Sequence, residues 1–404
     1  MHIVILNHYA GSPVYGMEFR PYYLAKEWIK LGHTVTIVAG NNSHIRRVNP
    51  PAQGNIWEEN IDGIRYIWLK TRAYSGNGLS RMLNMLDYIC GLYKNMKKFF
   101  SLKPDVIVAS STYPLDNYPA YKLAKKTGST FIYEVHDLWP LSPQLLGGYS
   151  KYHPFIVVMQ AAENFAYKHA DKVVSILPCA EEHMKQHGLK EGKFYHVSNG
   201  IYLPEVQNAE PLSEDLLSQL PKDKKIIGYC GTLGRSNALN NLIETANLLK
   251  DSHPELFFAL VGQGPEKENL IKLIEKYELT NIKIFNPIPK MQVQSFLKLS
   301  YIIVITWNDS ELYKYGISPN KIFDYMYSGK PILQAVKAGN DIPYEAGCGI
   351  TCNTTPKDIV DTLEKMLSMS KVDLDRMGMN GHEYVLKNYT YEVLAKKFID
   401  AIEK

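Results

Sequence analysis

The sequence has few cysteines and no long hydrophobic run. Its cysteines are scattered and odd in number: Cys90, Cys179, Cys230, Cys348 and Cys352. This pattern is typical of reduced thiols in a cytoplasm. No stretch approaches the roughly 18 consecutive apolar residues of a membrane-spanning helix. The N-terminal "MHIVILNHYAG" also lacks a basic segment followed by a long apolar core. We therefore expect neither a transmembrane helix nor a signal peptide.

Several catalytic and metal-binding motifs are absent too. The chain contains no Gly-x-Ser-x-Gly elbow, no His-Glu-x-x-His pair and no Walker loop. Their absence argues against hydrolase, metalloprotease and P-loop chemistry. No second Cys or His pair at zinc-finger spacing follows Cys348 and Cys352, so we expect no zinc site at these two cysteines.

Strand-like and helical runs alternate along the chain. "HIVIL", "HTVTIVAG", "PDVIVAS", "TFIYEVHD" and "KVVSILP" predict strands, and the pattern restarts near residue 225 with "KKIIGYCG", "LFFALVGQG", "NIKIFN" and "YIIVIT". This alternation predicts two α/β domains, each a doubly wound, mostly parallel sheet. We place them at residues 1–200 and 201–387, with a polar, Pro-containing linker after a hinge near Asn199 and Gly200.

Positive charge is concentrated in the first half. Residues 1–200 hold 22 Lys and Arg against 15 Asp and Glu, whereas residues 201–404 hold 23 against 26. Lysines and aromatic residues interleave in "LYKNMKKFFSLKP" and "YKLAKKTG", a pattern that suits an anionic membrane surface. The alternative is that Phe99 and Phe100 are core residues and the lysines form a solvated helix face. We expect no nucleic-acid partner.

Three loops of the second domain indicate a diphosphate pocket. In "GISPNKIFDYMYSGKPIL" a helix is predicted to begin near Ser318 and Pro319, so that the N–H groups of Asn320, Lys321 and Ile322 form an anion site. The turn in "GYCGTLGRSNALNN" lets the backbone approach phosphate, and Arg235 offers a bidentate fork. "LVGQGPE" is a third turn of this kind, although each could be an ordinary connection between strand and helix.

The first domain offers a different set of polar residues. "AGSPVYGMEFRP" places Gly16 and Glu18 in a loop that leads into a helix, and "EVHDLWP" places His136 and Asp137 just beyond a strand. Ligands of open α/β sheets bind at the carboxyl ends of the strands, so this pair suits contact with a sugar or phosphate. The alternative is that His136 is a capped loop histidine.

These motifs, together with "LAKEWIKLGHTVTIVAG", "VSNGIYLPEV" and "NIKIFNPIPKMQV", resemble glycosyltransferase family 4 over nearly the whole chain. Within it, "NHYAGSPVYGMEFRPYYLAKEW" and "EVHDLWPLSP" most resemble bacterial N-acetylfucosamine-type transferases of O-antigen and capsule biosynthesis. The resemblance implies a GT-B fold: two Rossmann-like doubly wound domains facing across a cleft, with the acceptor bound by the first and the nucleotide sugar by the second. It implies that a C-terminal helix, residues 388–404, completes the first domain.

The resemblance also implies roles for individual residues. The implied catalytic residues are His136, Asp137 and Glu18. The implied donor-binding residues are Gly16, Thr232, Arg235, Asn237, Gly262, Ile288, Glu311, Ser318, Pro319, Asn320, Lys321 and Asp324. The family's Glu-x7-Glu motif falls on Gly316 and Asp324, so the first acid is missing, although Glu311 lies nearby. The family's Arg and Lys of the Gly-rich turn map near Thr232 and Asn237, which leaves phosphate charge to Arg235 and Lys321.

The expected function is a retaining, metal-independent transfer of a sugar, an N-acetylated or deoxy hexose, from a UDP-sugar. The expected acceptor is a lipid-linked or oligosaccharide molecule of bacterial surface polysaccharide biosynthesis. UDP-sugar is a co-substrate, and no cofactor is expected. The expected location is cytoplasmic and peripheral at the inner face of the cell membrane. The alternatives are a GT-B sugar-nucleotide epimerase and a catalytically inactive GT-B binding module.

Overall fold

The structure is a computed structural model of the chain that describes residues 1–76 and 78–404. It divides into two compact units. Unit 1 comprises Met1–Asn199 and Tyr391–Lys404, and unit 2 comprises Gly200–Thr390. The first boundary lies within one residue of the predicted one. The segment that we interpreted as a linker belongs to unit 2, because Glu210 pairs with the backbone of Met291 and with Ser295 there.

Unit 1 is built on an eight-stranded sheet. Its strands are β1 (His2–Leu6), β2 (Thr34–Gly40), β3 (Ile56–Ile61), β4 (Ile64–Leu69), β5 (Val106–Ala109), β6 (Thr130–Val135), β7 (Lys172–Ser175) and β8 (Phe194–His196). Its first seven helices are α1 (Arg20–Lys30), α2 (Leu79–Lys94), α3 (Met96–Ser101), α4 (Asn117–Thr127), α5 (Leu141–Gly147), α6 (Pro154–His169) and α7 (Glu181–Gln186). The strand order is β3-β4-β2-β1-β5-β6-β7-β8. The central strands β1 and β5 are almost wholly buried, as expected of parallel strands that helices cover on both faces.

One hairpin departs from the parallel arrangement. β3 pairs with β4 in antiparallel register, and Asp62 and Gly63 join them with φ of 52° and 86°. A two-residue Asp-Gly loop with positive φ at both positions is the type I′ turn that matches the twist of paired strands. We did not predict this hairpin from the sequence, although the Asp-Gly pair is a signal for it.

Unit 2 is built on a six-stranded parallel sheet. Its strands are β9 (Lys225–Cys230), β10 (Leu256–Val261), β11 (Ile282–Phe285), β12 (Ile302–Thr306), β13 (Ile332–Ala335) and β14 (Gly349–Cys352). Its helices are α8 (Leu203–Val206), α9 (Glu214–Gln219), α10 (Leu239–Leu249), α11 (Lys267–Lys276), α12 (Val293–Leu299), α13 (Asn320–Tyr327), α14 (Ile342–Glu345), α15 (Pro356–Leu367) and α16 (Lys371–Asn388). The strand order is β11-β10-β9-β12-β13-β14. β9 and β12 are adjacent and parallel, so both end at the same edge of the sheet. The loops described below follow these two strand ends.

The last helix, α17 (Tyr391–Glu403), belongs to unit 1. It packs on α1, where the Trp28 indole donates a hydrogen bond to the Ala395 carbonyl at 3.2 Å and its ring lies 5.1 Å from that of Phe398. We predicted that this segment starts at residue 388. It starts at Tyr391 because α16 continues to Asn388 and the ring of Tyr389 packs on Phe323 within unit 2.

Phe398→Ala should destabilise unit 1 by about 3–5 kcal/mol, because it leaves a cavity beside the buried Trp28. Urea unfolding followed by tryptophan fluorescence measures the change. The matched control is Asp400→Ala, which removes an exposed side chain from the same helix. If both variants unfold at the wild-type urea concentration, the contact between α17 and α1 does not stabilise the unit.

Candidate functional site

Lys321 is the centre of a polar cluster in unit 2. Its ammonium lies 2.5 Å from the Asn237 amide oxygen and 3.0 Å from the Tyr229 hydroxyl. It also lies 4.8 Å and 5.8 Å from the ring centres of Tyr229 and Trp307, within the range of cation–π attraction. The structure thus brings together Lys321 and Asn237, which we predicted, with Tyr229 and Trp307, which we missed. Tyr229 lies near the end of the predicted strand "KKIIGYCG", and Trp307 directly follows the predicted strand "YIIVIT".

Among the residues that the structure describes, no carboxylate contacts the Lys321 ammonium. Burial lowers the pKa of Lys321 to about 7. An anion bound beside it would favour the protonated form and raise that pKa. The cluster is therefore suited to an anionic ligand, which would supply the charge that the tyrosine, tryptophan and asparagine side chains do not.

The Gly-rich turn after β9 is held by hydrogen bonds to its backbone. The carbonyl of Thr232 accepts from Asn237 at 2.9 Å and from the Tyr229 hydroxyl at 2.7 Å. Thr232 thus contributes its main chain, while its side chain is exposed. The same residues that contact Lys321 therefore also fix the shape of the turn.

Gly262 has a packing reason to be glycine. A Cβ at this position would lie 1.9 Å from the carbonyl oxygen of Gly231, so the turns after β9 and β10 approach each other too closely for a side chain. In unit 1, Gly16 adopts φ of 100°, and a Cβ there would lie 2.7 Å from the Arg47 amide nitrogen. Direct donor contacts by Gly16 and Gly262 stay predictions.

The helix at the opening motif begins one residue later than we predicted. Pro319 has φ of −75° and ψ of 134°, so it precedes the helix as its N-cap, and Asn320 is the first helical residue. Ser318 before it is buried. The Ile322 N–H, predicted as an anion ligand, donates instead to the Pro319 carbonyl at 3.2 Å. The predicted anion site is thus reduced to the first turn at Asn320 and Lys321.

Four further predicted donor residues have other surroundings. The Arg235 side chain is 93% exposed, with Glu266 4.0 Å away. Glu311 is 82% exposed and lies 3.9 Å from Lys314. Asp324 pairs with Lys290 at 2.8 Å. Ile288 lines a separate cavity beside α9. The structure does not place these four against the Lys321 ammonium, and their donor roles stay predictions.

In unit 1, His136 belongs to a buried ionic network. The Arg20 guanidinium pairs with Glu134 at 3.0 Å and also donates to the carbonyls of Val197 and Ser198. Burial alone would raise the pKa of Glu134, but Arg20 and His136 beside it lower that pKa to about 2. Glu134 is therefore ionised at neutral pH. Neither Arg20 nor Glu134 was predicted, because a strand glutamate and a helix arginine give no sequence signal of being buried together.

The imidazole of His136 is oriented by this network. Its Nε2 lies 2.9 Å from the Ser110 hydroxyl and 3.4 Å from Glu134, and Ser110 itself donates to Glu134 at 2.6 Å. His136 remains partly accessible at the carboxyl end of β6. An imidazole fixed at one nitrogen and open to a ligand elsewhere can position a substrate or transfer a proton.

The other two predicted catalytic residues differ in their settings. Asp137 accepts hydrogen bonds from Ser142 at 2.5 Å and from the Leu138 amide at 2.9 Å, and burial raises its pKa. It therefore stabilises the turn that enters α5. Glu18 lies in the loop before α1, where its carboxylate is 3.4 Å from the Arg20 amide. Catalytic roles for both stay predictions.

A cavity of about 550 Å³ opens beside Asp137 in unit 1. Its walls are mainly apolar and aromatic, and they include Leu79, Met82, Met85, Trp139, Tyr149 and Phe155. Arg81, His153 and Ser142 add polar groups. A concave, mostly apolar cavity with a few polar groups is the usual form of a small-molecule site.

Two family profiles match the chain. The Glycosyl transferase 4-like domain matches residues 15–200, and the Glycosyl transferases group 1 domain matches residues 217–384. These ranges cover most of unit 1 and most of unit 2, respectively.

Two curated bacterial proteins are similar to this chain. WbjE of Pseudomonas aeruginosa, described as a probable glycosyltransferase, is 23% identical over 300 residues, which are 72% of this chain and 73% of WbjE. WcaI of Escherichia coli strain K12, described as a colanic acid biosynthesis glycosyl transferase, is 25% identical over 292 residues, which are 67% of this chain and 70% of WcaI.

Solved structures share the fold at low sequence identity. Sucrose-phosphate synthase from Thermosynechococcus elongatus has a TM-score of 0.74 at 14% identity, covering 100% of this chain and 98% of that one. HepE of Anabaena in complex with UDP-glucose has a TM-score of 0.65 at 13% identity, covering 100% and 99%. The fold and family expected from the sequence are confirmed: the chain belongs to the GT-B glycosyltransferases that combine a 4-like domain with a group 1 domain.

Proposed function

We propose that the protein is a retaining glycosyltransferase that moves an N-acetylated or deoxy hexose from a UDP-sugar to a lipid-linked or oligosaccharide acceptor in bacterial surface polysaccharide biosynthesis. The observation that carries the proposal is the enclosure of Lys321 by Tyr229, Asn237 and Trp307 at the start of α13. The complex of HepE with UDP-glucose supports a nucleotide-sugar donor, and the description of WcaI supports the role in polysaccharide biosynthesis.

The proposed chemistry requires that negative charge on the departing diphosphate be stabilised. Lys321 and the N–H groups of the first turn of α13 would supply positive charge and hydrogen bonds at that point. This arrangement would serve in place of a divalent cation. In unit 1, His136 would contact the donor sugar or its phosphate, oriented by Ser110 and Glu134.

Lys321→Met should weaken UDP binding by roughly 1.5–3 kcal/mol, because it removes a charged hydrogen-bond donor. UDP binding favours protonated Lys321, whose pKa in the free protein is about 7. Wild-type affinity should therefore fall as pH rises above 7, by at most about tenfold per unit. Isothermal titration calorimetry with UDP between pH 7 and 9 measures both effects.

The matched control is Lys314→Met, which removes an exposed lysine from the preceding loop. It should keep wild-type affinity and pH dependence. Equal affinity in Lys321→Met and wild type, or the same pH slope in both, would remove Lys321 from the donor site.

His136→Ala should lower the rate of sugar transfer by about 100- to 10,000-fold, the range for a group that acts in the transition state. UDP affinity should stay nearly unchanged, because the residue is proposed to act in the transition state more than in binding. The assay measures UDP release from a panel of UDP-sugars, with and without a lipid-linked saccharide acceptor.

The same assay separates the alternatives. A transferase releases UDP slowly alone and faster with acceptor, an epimerase converts the sugar without acceptor, and an inactive module does neither. The control His33→Ala alters a histidine before β2, at the amino edge of the sheet. A loss of UDP affinity alone in His136→Ala would assign His136 to nucleotide binding instead.

We propose that the acceptor binds in the apolar cavity of unit 1. We also propose that the exposed lysines of α4 contact the anionic membrane surface. Among the described residues, no helix combines the length and apolar character needed to cross a bilayer. Phe99 is a core residue and Lys98 pairs with Glu58 at 2.7 Å, so this part of the basic pattern has a structural role. Lys122, Lys125 and Lys126 remain exposed on α4.

The protein should co-sediment with vesicles that contain anionic lipid, and less so as salt rises. Replacing Lys122, Lys125 and Lys126 by Gln should reduce this binding, since each lysine contributes about 1 kcal/mol near such a surface. The charge-matched control replaces Lys250, Lys272 and Lys276, which are exposed on unit 2. Equal binding to neutral vesicles, or an equal loss in both triple variants, would contradict the assignment.

A further inference from the structure

Three potential metal ligands converge between α6 and α7 in unit 1. Glu163 lies on α6, His183 lies on α7, and His187 directly follows α7. The two histidines are four residues apart, the spacing that places side chains on one face of a helix. Glu163 faces them from the neighbouring helix. The proposed transfer reaction gives these three residues no role.

The ligand atoms of the three residues all lie within 4.8 Å of one another. Glu163 Oε1 is 4.0 Å from His183 Nε2, and the two imidazole centroids are 4.5 Å apart with an interplanar angle of 50°. Bonds to Zn²⁺ measure about 2.0–2.2 Å from nitrogen or oxygen, so an ion would draw these atoms slightly closer together.

The surroundings orient these ligands. The Tyr167 hydroxyl donates to Glu163 Oε1 at 2.9 Å, and the Gln160 amide donates to Oε2 at 2.8 Å. His187 Nδ1 lies 3.0 Å from the Asn164 amide oxygen, a contact that would leave Nε2 as the ligand atom. Metal-binding histidines and carboxylates are usually held in place by hydrogen bonds of this kind from neighbouring residues.

A cation would stabilise the ionised form of this buried carboxylate. Glu163 is only 1% exposed, and the hydrogen bonds from Tyr167 and Gln160 bring no positive charge. Transfer of a carboxylate charge into the protein interior is costly unless a positive charge lies beside it. A divalent metal held by two neutral imidazoles and this carboxylate would meet that requirement.

We propose that Glu163, His183 and His187 bind a Zn²⁺ ion that fastens α7 to α6. Two imidazoles and one carboxylate favour Zn²⁺ over Mg²⁺ or Ca²⁺, which prefer oxygen ligands. The expectation of no metal rested on the family resemblance, and the spacing of Cys348 and Cys352 argued only against a zinc site at those cysteines. The proposed ion lies wholly within unit 1 and takes no part in that site.

The test uses the whole chain after dialysis against a chelator. Titration with CoCl₂ should produce the visible absorption of tetrahedral Co²⁺ at one ion per chain, and ZnCl₂ should abolish it by displacement. Added ZnCl₂ should also raise the melting temperature, because a ligand that binds only the folded state stabilises it. A chain that shows neither the Co²⁺ spectrum nor a Zn²⁺-dependent melting shift would overturn the proposal.

Variants assign the ligands. Glu163→Gln keeps the side-chain shape, and His187→Gln alters a half-buried position, so both test the ligands with little change in packing. Each should weaken Co²⁺ binding at least about tenfold, because even the loss of a group that supports a ligand costs about 10- to 100-fold in metal affinity. The control His169→Gln changes another histidine of α6 and should bind like wild type. Unchanged Co²⁺ affinity in both ligand variants would also refute the site, and the wild-type titration remains decisive if a variant fails to fold.

Discussion

The parallel alignment of the strands is the constraint on which the candidate sites of both units depend. In unit 2, β9, β10 and β12 end at one edge of the sheet, so their loops meet there although they lie far apart in the sequence. In unit 1, β5 and β6 likewise end side by side, which brings Ser110 beside His136. Helices that return the chain to the opposite edge make this convergence unavoidable.

The two units place positive charge in contrasting settings. In unit 1, Arg20 is fully buried and neutralised by Glu134, so the pair stabilises the arrangement of α1, β6 and the segment around Ser198. In unit 2, Lys321 is surrounded by aromatic rings and an amide, which do not neutralise it. A compensated charge is suited to holding structure, whereas an uncompensated one is suited to binding an anion.

Close packing decides the shape of the loops around Lys321 as much as their chemistry does. Gly262 has no side chain and so leaves room for the Gly231 carbonyl. The Thr232 carbonyl accepts hydrogen bonds from Asn237 and Tyr229. The turn is thereby fixed before any ligand arrives. A preformed turn of this kind loses little conformational freedom on binding, which favours affinity.

The sequence by itself determined the fold class and the two-domain division, because apolar periodicity and turn residues are local signals that survive in the fold. The family was recognised from the resemblance of its motifs. The sequence also predicted Lys321, Asn237 and His136 as site candidates, and these residues follow strands or begin a helix. Only the tertiary structure decided which of the candidates meet. It brought Tyr229 and Trp307 to Lys321, and left Arg235 and Glu311 exposed. It likewise paired Asp324 with Lys290 and Arg20 with Glu134. These pairings join residues up to 114 positions apart, and no local pattern specifies the partner of a charge across such a distance.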